Sequence, residues 1–132
     1  MKRFFVLVVA VVVVLFGLTT APAYAFSQAS LTKLQSTNQC KDCDLSEAAL
    51  TGANLMGADL ERANLTGADL TGANLTGADL EKANLGIANL SEANLMGADL
   101  EKANLTGANL TGTNLTNASL EKATMPDGSK HA

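Results

Sequence analysis

From Leu45 to Leu120 every fifth residue is leucine, sixteen in succession, and alanine stands two residues before almost every one. Neither regular secondary structure can use that spacing. On an α-helix five residues turn the side chain by about 140°, so the leucines would wander over every face. In a strand an odd spacing sends successive leucines to opposite faces. A coil in which each pentapeptide turns the chain by about 90° points every leucine inward, one per side and four sides to a turn. The pattern therefore predicts an all-β quadrilateral solenoid of about four coils, near 20 Å long at roughly 4.8 Å per layer. Its inward core is Leu45, Leu50, Leu55, Leu60, Leu65, Leu70, Leu75, Leu80, Leu85, Leu90, Leu95, Leu100, Leu105, Leu110, Leu115 and Leu120, with Met125 as a seventeenth centre. Alanine fits beside the leucines because so narrow an interior cannot hold two large side chains per side.

The polar positions repeat as well. Asn or Asp precedes nearly every leucine, and Gly ends eight of the pentapeptides. These are turn residues, since Gly tolerates positive φ and Asx side chains bond nearby backbone. Asn and Thr on successive coils are expected to pair with their counterparts above and below. Repetition alone accounts for these residues as scaffold.

A slower period lies inside the first. Asp-Leu-Glu followed by Arg or Lys recurs at 20 residues, in Asp59–Arg62, Asp79–Lys82 and Asp99–Lys102, with Ser119–Lys122 a weaker fourth. Four pentapeptides to a turn place Glu61, Glu81, Glu101 and Glu121 in one column, beside a second column of Arg62, Lys82, Lys102 and Lys122. This charged side reads either as a solubilising face, its exposed ion pairs contributing about 0 to 1 kcal/mol each, or as a docking face for a charged partner. It is the candidate interaction face. Met56 and Met96 fall on another side and point outward, and Ile87 occupies a position held elsewhere by Gly, Glu, Lys, Arg or Asn.

The ends read differently. Residues 1–25 carry Lys2 and Arg3, an apolar run from Phe4 to Leu18 and a small-residue site at Ala23-Tyr24-Ala25, the layout of a Sec-type signal cleaved before Phe26. The rival is an uncleaved anchor, although the run is shorter than the roughly 20 residues a spanning helix needs. Residues 26–42 form an N-terminal capping segment, in which Ser30-Leu31-Thr32-Lys33-Leu34 begins a short helix with Ser30 as N-cap and Leu31 and Leu34 on one face. The solenoid runs over 43–127, Pro126-Asp127-Gly128 closes it, and 128–132 is expected to be a flexible tail.

Without the leader the chain keeps 7 basic and 13 acidic residues, a net charge of −6. So acidic a chain has no electrostatic footprint for nucleic acid, and after cleavage nothing calls for a membrane. Trp is absent and the one Tyr lies in the leader, so stacking platforms are missing apart from Phe26. Cys40 sits in the leucine register and Cys43 in the alanine register, both facing inward. In an exported chain such a pair reads as a small disulfide locking the first coil. The rival, a redox dithiol, wants a helix N-terminus in a βαβ setting. Metal binding by two thiols and His131 falls short of the four ligands of a structural zinc site. No cofactor, metal or catalytic residue is assigned. The Asn-Leu-Thr triplets match a glycosylation pattern, but the repeat generates them by itself.

The unit Ala63-Asn64-Leu65-Thr66-Gly67 and its copies resemble the pentapeptide-repeat family over about residues 43–127. The resemblance implies a right-handed quadrilateral β-helix. The lead-in from Thr37 to Leu45, behind an export signal, is similar to members from cyanobacteria and plant thylakoid lumens, which implies a lumenal or periplasmic location. It implies a non-catalytic scaffold with a protein partner. Members that bind DNA gyrase imply an alternative, a DNA-mimicking inhibitor, for which this chain is short, lacks a C-terminal dimerising helix and carries an export signal. A thiol redox protein using Cys40 and Cys43 is a third class.

Overall fold

The computed structural model describes residues 27–132; the expected leader and Phe26 lie outside the described residues. Helix α1 spans Gln28–Thr37. Its N-cap is Ser27 and not Ser30: Ser27 is extended, with φ −74 and ψ 121, and its side chain accepts from the Ser30 amide. The helix thus begins one turn earlier than its leucines suggest, because a better-placed hydroxyl precedes them. Asn38 ends it in the left-handed region at φ 58, and its amide donates to Leu34 O. Leu31 and Leu34 are buried in the same core as the first coil. The Ser27 amide donates to Asp44 O at 3.1 Å, and Asn38 Nδ2 donates to Met56 O at 2.9 Å, which ties both helix ends to that coil. Among the described residues no helix is long and apolar enough to cross a membrane.

Beyond the helix the chain winds in steps of 20. Every parallel bridge, from Gln39↔Asp59 to Asn104↔Thr124, joins residues 20 apart. Each side contributes one bridge, at the residue before its leucine, because a turn follows on either hand and leaves no room for a longer strand. The backbone bonds repeat with the coil. Leu75 N donates forward to Asn94 O at 2.7 Å, Gly77 N to Met96 O at 2.9 Å, and Asn74 N back to Ala53 O at 2.9 Å. Ala78 N closes the turn on Leu75 O at 3.0 Å. Interior amides are thereby satisfied by neighbouring coils, as a buried backbone requires. The corner residue between sides is left-handed, at φ 64 in Gly77 and 57 in Arg62, and Gly adopts that conformation without the cost a Cβ brings.

Leu45 to Leu105 are all buried, with the alanines from Ala58 to Ala108 between them. Leu110, Leu115, Leu120 and Met125 are only partly buried and pack against that core from one side, since the last coil has a single neighbour. Cys40 is fully buried and Cys43 nearly so; their sulfurs are at bonding distance and their Cα atoms 5.1 Å apart.

The closing segment departs from the expectation of a flexible 128–132 tail. Thr124 and Lys130 form an antiparallel bridge, Met125 N donates to Ser129 O at 2.8 Å, His131 N to Ala123 O at 2.8 Å and Lys122 N to His131 O at 3.1 Å. The physical reason is the open coil edge. Lys122 N and Ala123 O have no next coil to pair with, and the returning tail supplies their partners.

Candidate interaction face

Each side is built on the same local device. The Asx residue before the leucine turns its Oδ1 onto the amide two residues on, as in Asn74 to Thr76 N at 3.2 Å and Asp79 to Glu81 N at 3.0 Å. Where that later residue is Thr, its hydroxyl donates to the same oxygen, at 2.7 Å in Thr76 and 2.6 Å in Thr66. These threonines therefore bond within their own unit rather than across coils, because the Asx oxygen is already aimed at them. The asparagines do pair between coils: Asn104 Nδ2 donates to Asn84 Oδ1 at 3.1 Å, and Asn114 Nδ2 to Asn94 Oδ1 at 3.0 Å.

The side centred on Leu60, Leu80, Leu100 and Leu120 uses the device differently. Its bridging residues are Asp59, Asp79 and Asp99, stacked coil on coil, and carboxylates cannot donate the ladder bonds that asparagines make. Each keeps only the turn bond that the asparagines also make, accepting from the amide of the glutamate two residues on, which turns Glu61, Glu81 and Glu101 outward beside it. Carboxylate oxygens of Asp59, Glu61 and Asp79 come within 4.8 Å of one another. The next residue, at the left-handed corner, carries the opposite charge: Arg62, Lys82, Lys102 and Lys122 all have φ of 57 to 59.

Within each layer the two columns are paired. Lys82 Nζ lies 2.6 Å from Glu81 Oε1, Lys122 Nζ 2.7 Å from Glu121 Oε1, and Arg62 Nη1 2.6 Å from Glu61 Oε1. Lys102 pairs with Glu101 and lies 4.0 Å from Glu81 in the coil before. The structure adds two residues that the sequence reading left out. Lys41 bonds Glu61, while Asp42 receives a forked bond from Arg62, Nε to Oδ1 at 2.6 Å and Nη2 to Oδ2 at 2.9 Å. Lys41 and Asp42 stand 20 residues before Glu61 and Arg62 with the signs exchanged. Extending the slow period back one coil finds them; a search for the Asp-Leu-Glu-Lys string does not. The inverted layer ends both columns in an opposite charge, which offsets repulsion between stacked like charges.

The ion pairs set the protonation of this face. Hydrogen bonding from Arg62 holds Asp42 below the usual carboxylate range, Lys82 does the same for Glu81 and Lys122 for Glu121. Bonds to Glu61, Asp42 and Glu101 raise Lys41, Arg62 and Lys102. Elsewhere the Asx turns act alone: Ser46, Thr71 and Ser129 lower Asp44, Asp69 and Asp127. A carboxyl lowered in the folded chain stabilises it above the unfolded value, near 4, and that contribution is lost as pH falls through the folded value. The melting temperature is expected to hold between pH 7 and about 5 and to drop below about pH 4. Because the groups are exposed, each contributes little. A melting temperature that rises on acidification below pH 4 contradicts these assignments.

The other sides differ in relief. Met56 and Met96 project from the side that immediately precedes the charged one, and Ile87 stands at a corner; all three are exposed. A groove of about 650 Å³ runs between the end of α1 and the first coil, lined by Leu34, Leu50, Ala53, Leu55 and Met56 among others.

Comparison with known proteins places this geometry. The family profile described as Pentapeptide repeats (8 copies) matches residues 39–77 and 88–126. The chain is similar to the solved structure of Rfr23, a pentapeptide repeat protein from the cyanobacterium Cyanothece 51142, at 27% identity and TM-score 0.62, over 79% of this chain and 98% of that one. It is similar to HetL, a pentapeptide repeat protein involved in heterocyst differentiation regulation in the cyanobacterium Nostoc sp. strain PCC 7120, at 40% identity over 70% of this chain, with TM-score 0.43. The chain spans about half of HetL, 51% of its length. A pentapeptide repeat protein from the Arabidopsis thaliana thylakoid lumen is 33% identical over 71% of this chain and 70% of that one, with TM-score 0.41. No curated protein matches. The neighbours make the coil a right-handed β-helix.

Proposed function

Because this chain belongs to the pentapeptide-repeat family, we propose that it is a non-catalytic exported scaffold whose charged side docks a protein partner in a thylakoid lumen or periplasm. The observation that carries the reading is the pair of charged columns on one side only. Five layers, from Lys41 and Asp42 to Glu121 and Lys122, each set one acidic beside one basic side chain on one face of the rod. The Asx, Thr and Ser groups of the other sides bond mostly within their own turns and ladders. Exposed ion pairs add little to stability, yet charge patterns of this kind select and orient partners. Four coils with inward leucines and a helix over the first coil supply a rigid support, with the Cys40–Cys43 pair at the start of that coil.

Export follows from the leader, and a cleaved chain needs no membrane contact. The non-catalytic role is supported by the family and by the single histidine, which lies in the closing tail. Neither nucleic acid nor a cofactor enters the reading.

The test is recovery of partners from the exported compartment with wild-type protein and with the variant E81K/K82E/E101K/K102E. Reversal keeps the net charge and exchanges the sign of each column over two layers. Partner recovery is expected to fall at least about tenfold, as for loss of a patterned charge interface. Undiminished recovery by the reversed protein rules the charged face out.

A further inference from the structure

Ile87 breaks the logic of the corners. Ten non-glycine residues among those described have positive φ, and Ile87, at φ 51, is the one with an apolar side chain. A β-branched residue is poorly suited to the left-handed region, and equivalent corners are filled by glycine or by polar residues such as Asn117. Its side chain is also 69% exposed, more than Met56 or Met96. Backbone strain and exposure of an apolar group both oppose its presence.

The surroundings leave it standing clear. Gly86 precedes it, and Gly67 and Gly107 lie one coil before and after it in the same corner column. A Cβ at Gly107 would fall 3.1 Å from Ile87 Cγ2, so even alanine there would crowd the side chain. Across Gly67 the next group is Glu47: its Cγ and Ile87 Cδ1 lie 3.4 and 3.9 Å from the same point above that glycine. On the following corner Glu92 lays its carboxylate over Gly112. Glu61, Glu81, Glu101 and Glu121 all have cationic partners, whereas among the described residues Glu47 and Glu92 have none.

We propose that Ile87, flanked by Glu47 and Glu92, anchors a second docking surface for a partner protein that offers an apolar pocket rimmed by Lys or Arg side chains. A single projecting aliphatic group filling a pocket is how interfaces concentrate binding energy, and the two unpaired carboxylates select the rim. Retained strain at an exposed position is the signature of such a site. The surface lies away from the charged columns and does not depend on them.

A photo-crosslinking benzoylphenylalanine in place of Thr106, whose carbonyl accepts the Ile87 amide, leaves Ile87 intact beside it. Irradiation in an extract of the exported compartment, with and without excess unmodified protein, yields the competed product, and that protein is then purified for direct binding. Ile87→Asn is expected to weaken binding at least about tenfold while the melting temperature holds or rises. E47Q/E92Q is expected to weaken it and to flatten its salt dependence, and the charge reversal on the other side to leave it unchanged. The proposal is overturned if no competed product forms, if Ile87→Asn binds like wild type, or if Ile87→Asn lowers the melting temperature by several degrees, which would make the side chain structural.

Discussion

Replacing Leu75 with Asp unfolds the solenoid. Leu75 is fully buried in the middle of the stack, with its amide committed to Asn94 O and its carbonyl to Ala78 N. The exchange removes about 1.5–3 kcal/mol of apolar burial. It also places a carboxylate among leucines and alanines, where no donor exists, at an effective penalty of several kcal/mol for a charge or rather less for a neutral acid. Against a total stability of about 5–15 kcal/mol that is decisive. Neighbouring coils cannot adapt independently, since each is a template for the next. Circular dichroism is expected to show loss of both the β signal and the cooperative melt. Leu115→Asp is the internal comparison: Leu115 is half-buried in the last coil, where the carboxylate reaches water, and its melt is expected to survive at lower temperature. A Leu75→Asp protein that melts like wild type refutes the inward placement.

The second large effect separates the fast period from the slow one. Deleting Thr71–Leu75 removes one pentapeptide and leaves every remaining leucine in register, so the coil re-forms. Everything after the deletion is turned by one side. Glu81 and Lys82 then rise above Met56 and Gly57 rather than above Glu61 and Arg62, so the five-layer columns are split into a two-layer piece on one side and a three-layer piece on the next. Deleting Thr66–Leu85 removes 20 residues, a full turn. Glu101 and Lys102 then stack directly on Glu61 and Arg62, and the charged side is shortened but continuous. Both proteins are expected to fold; only the second is expected to keep the docking face.

These deletions also show where a linear reading succeeds and where it stops. The repeat, the family and the four-sided coil are legible because each leucine, alanine and Asx position is dictated locally and then copied. The charged columns are legible for the same reason, once the period is taken as 20. Lys41 and Asp42 escaped because their signs are exchanged, so they match the column only by position. Ser27 as N-cap escaped because the hydrophobic face of α1 begins later than its first turn. The closing tail looked frayed by composition, yet pairing needs only backbone groups, and the last coil leaves amides that Ser129 to His131 can satisfy. Ile87 was visible as an exception. That its neighbours in the column are glycines, and that Glu47 and Glu92 lack cations, emerges only when the coil is closed.

The most direct measurement is partner recovery by the two deletion proteins side by side, each first shown by circular dichroism to fold. The protein lacking Thr66–Leu85 is expected to retain the partner recovered by wild type, and the protein lacking Thr71–Leu75 to lose it. Equal recovery by both, or retention by the five-residue deletion alone, would contradict the claim that the 20-residue period builds the surface this scaffold uses.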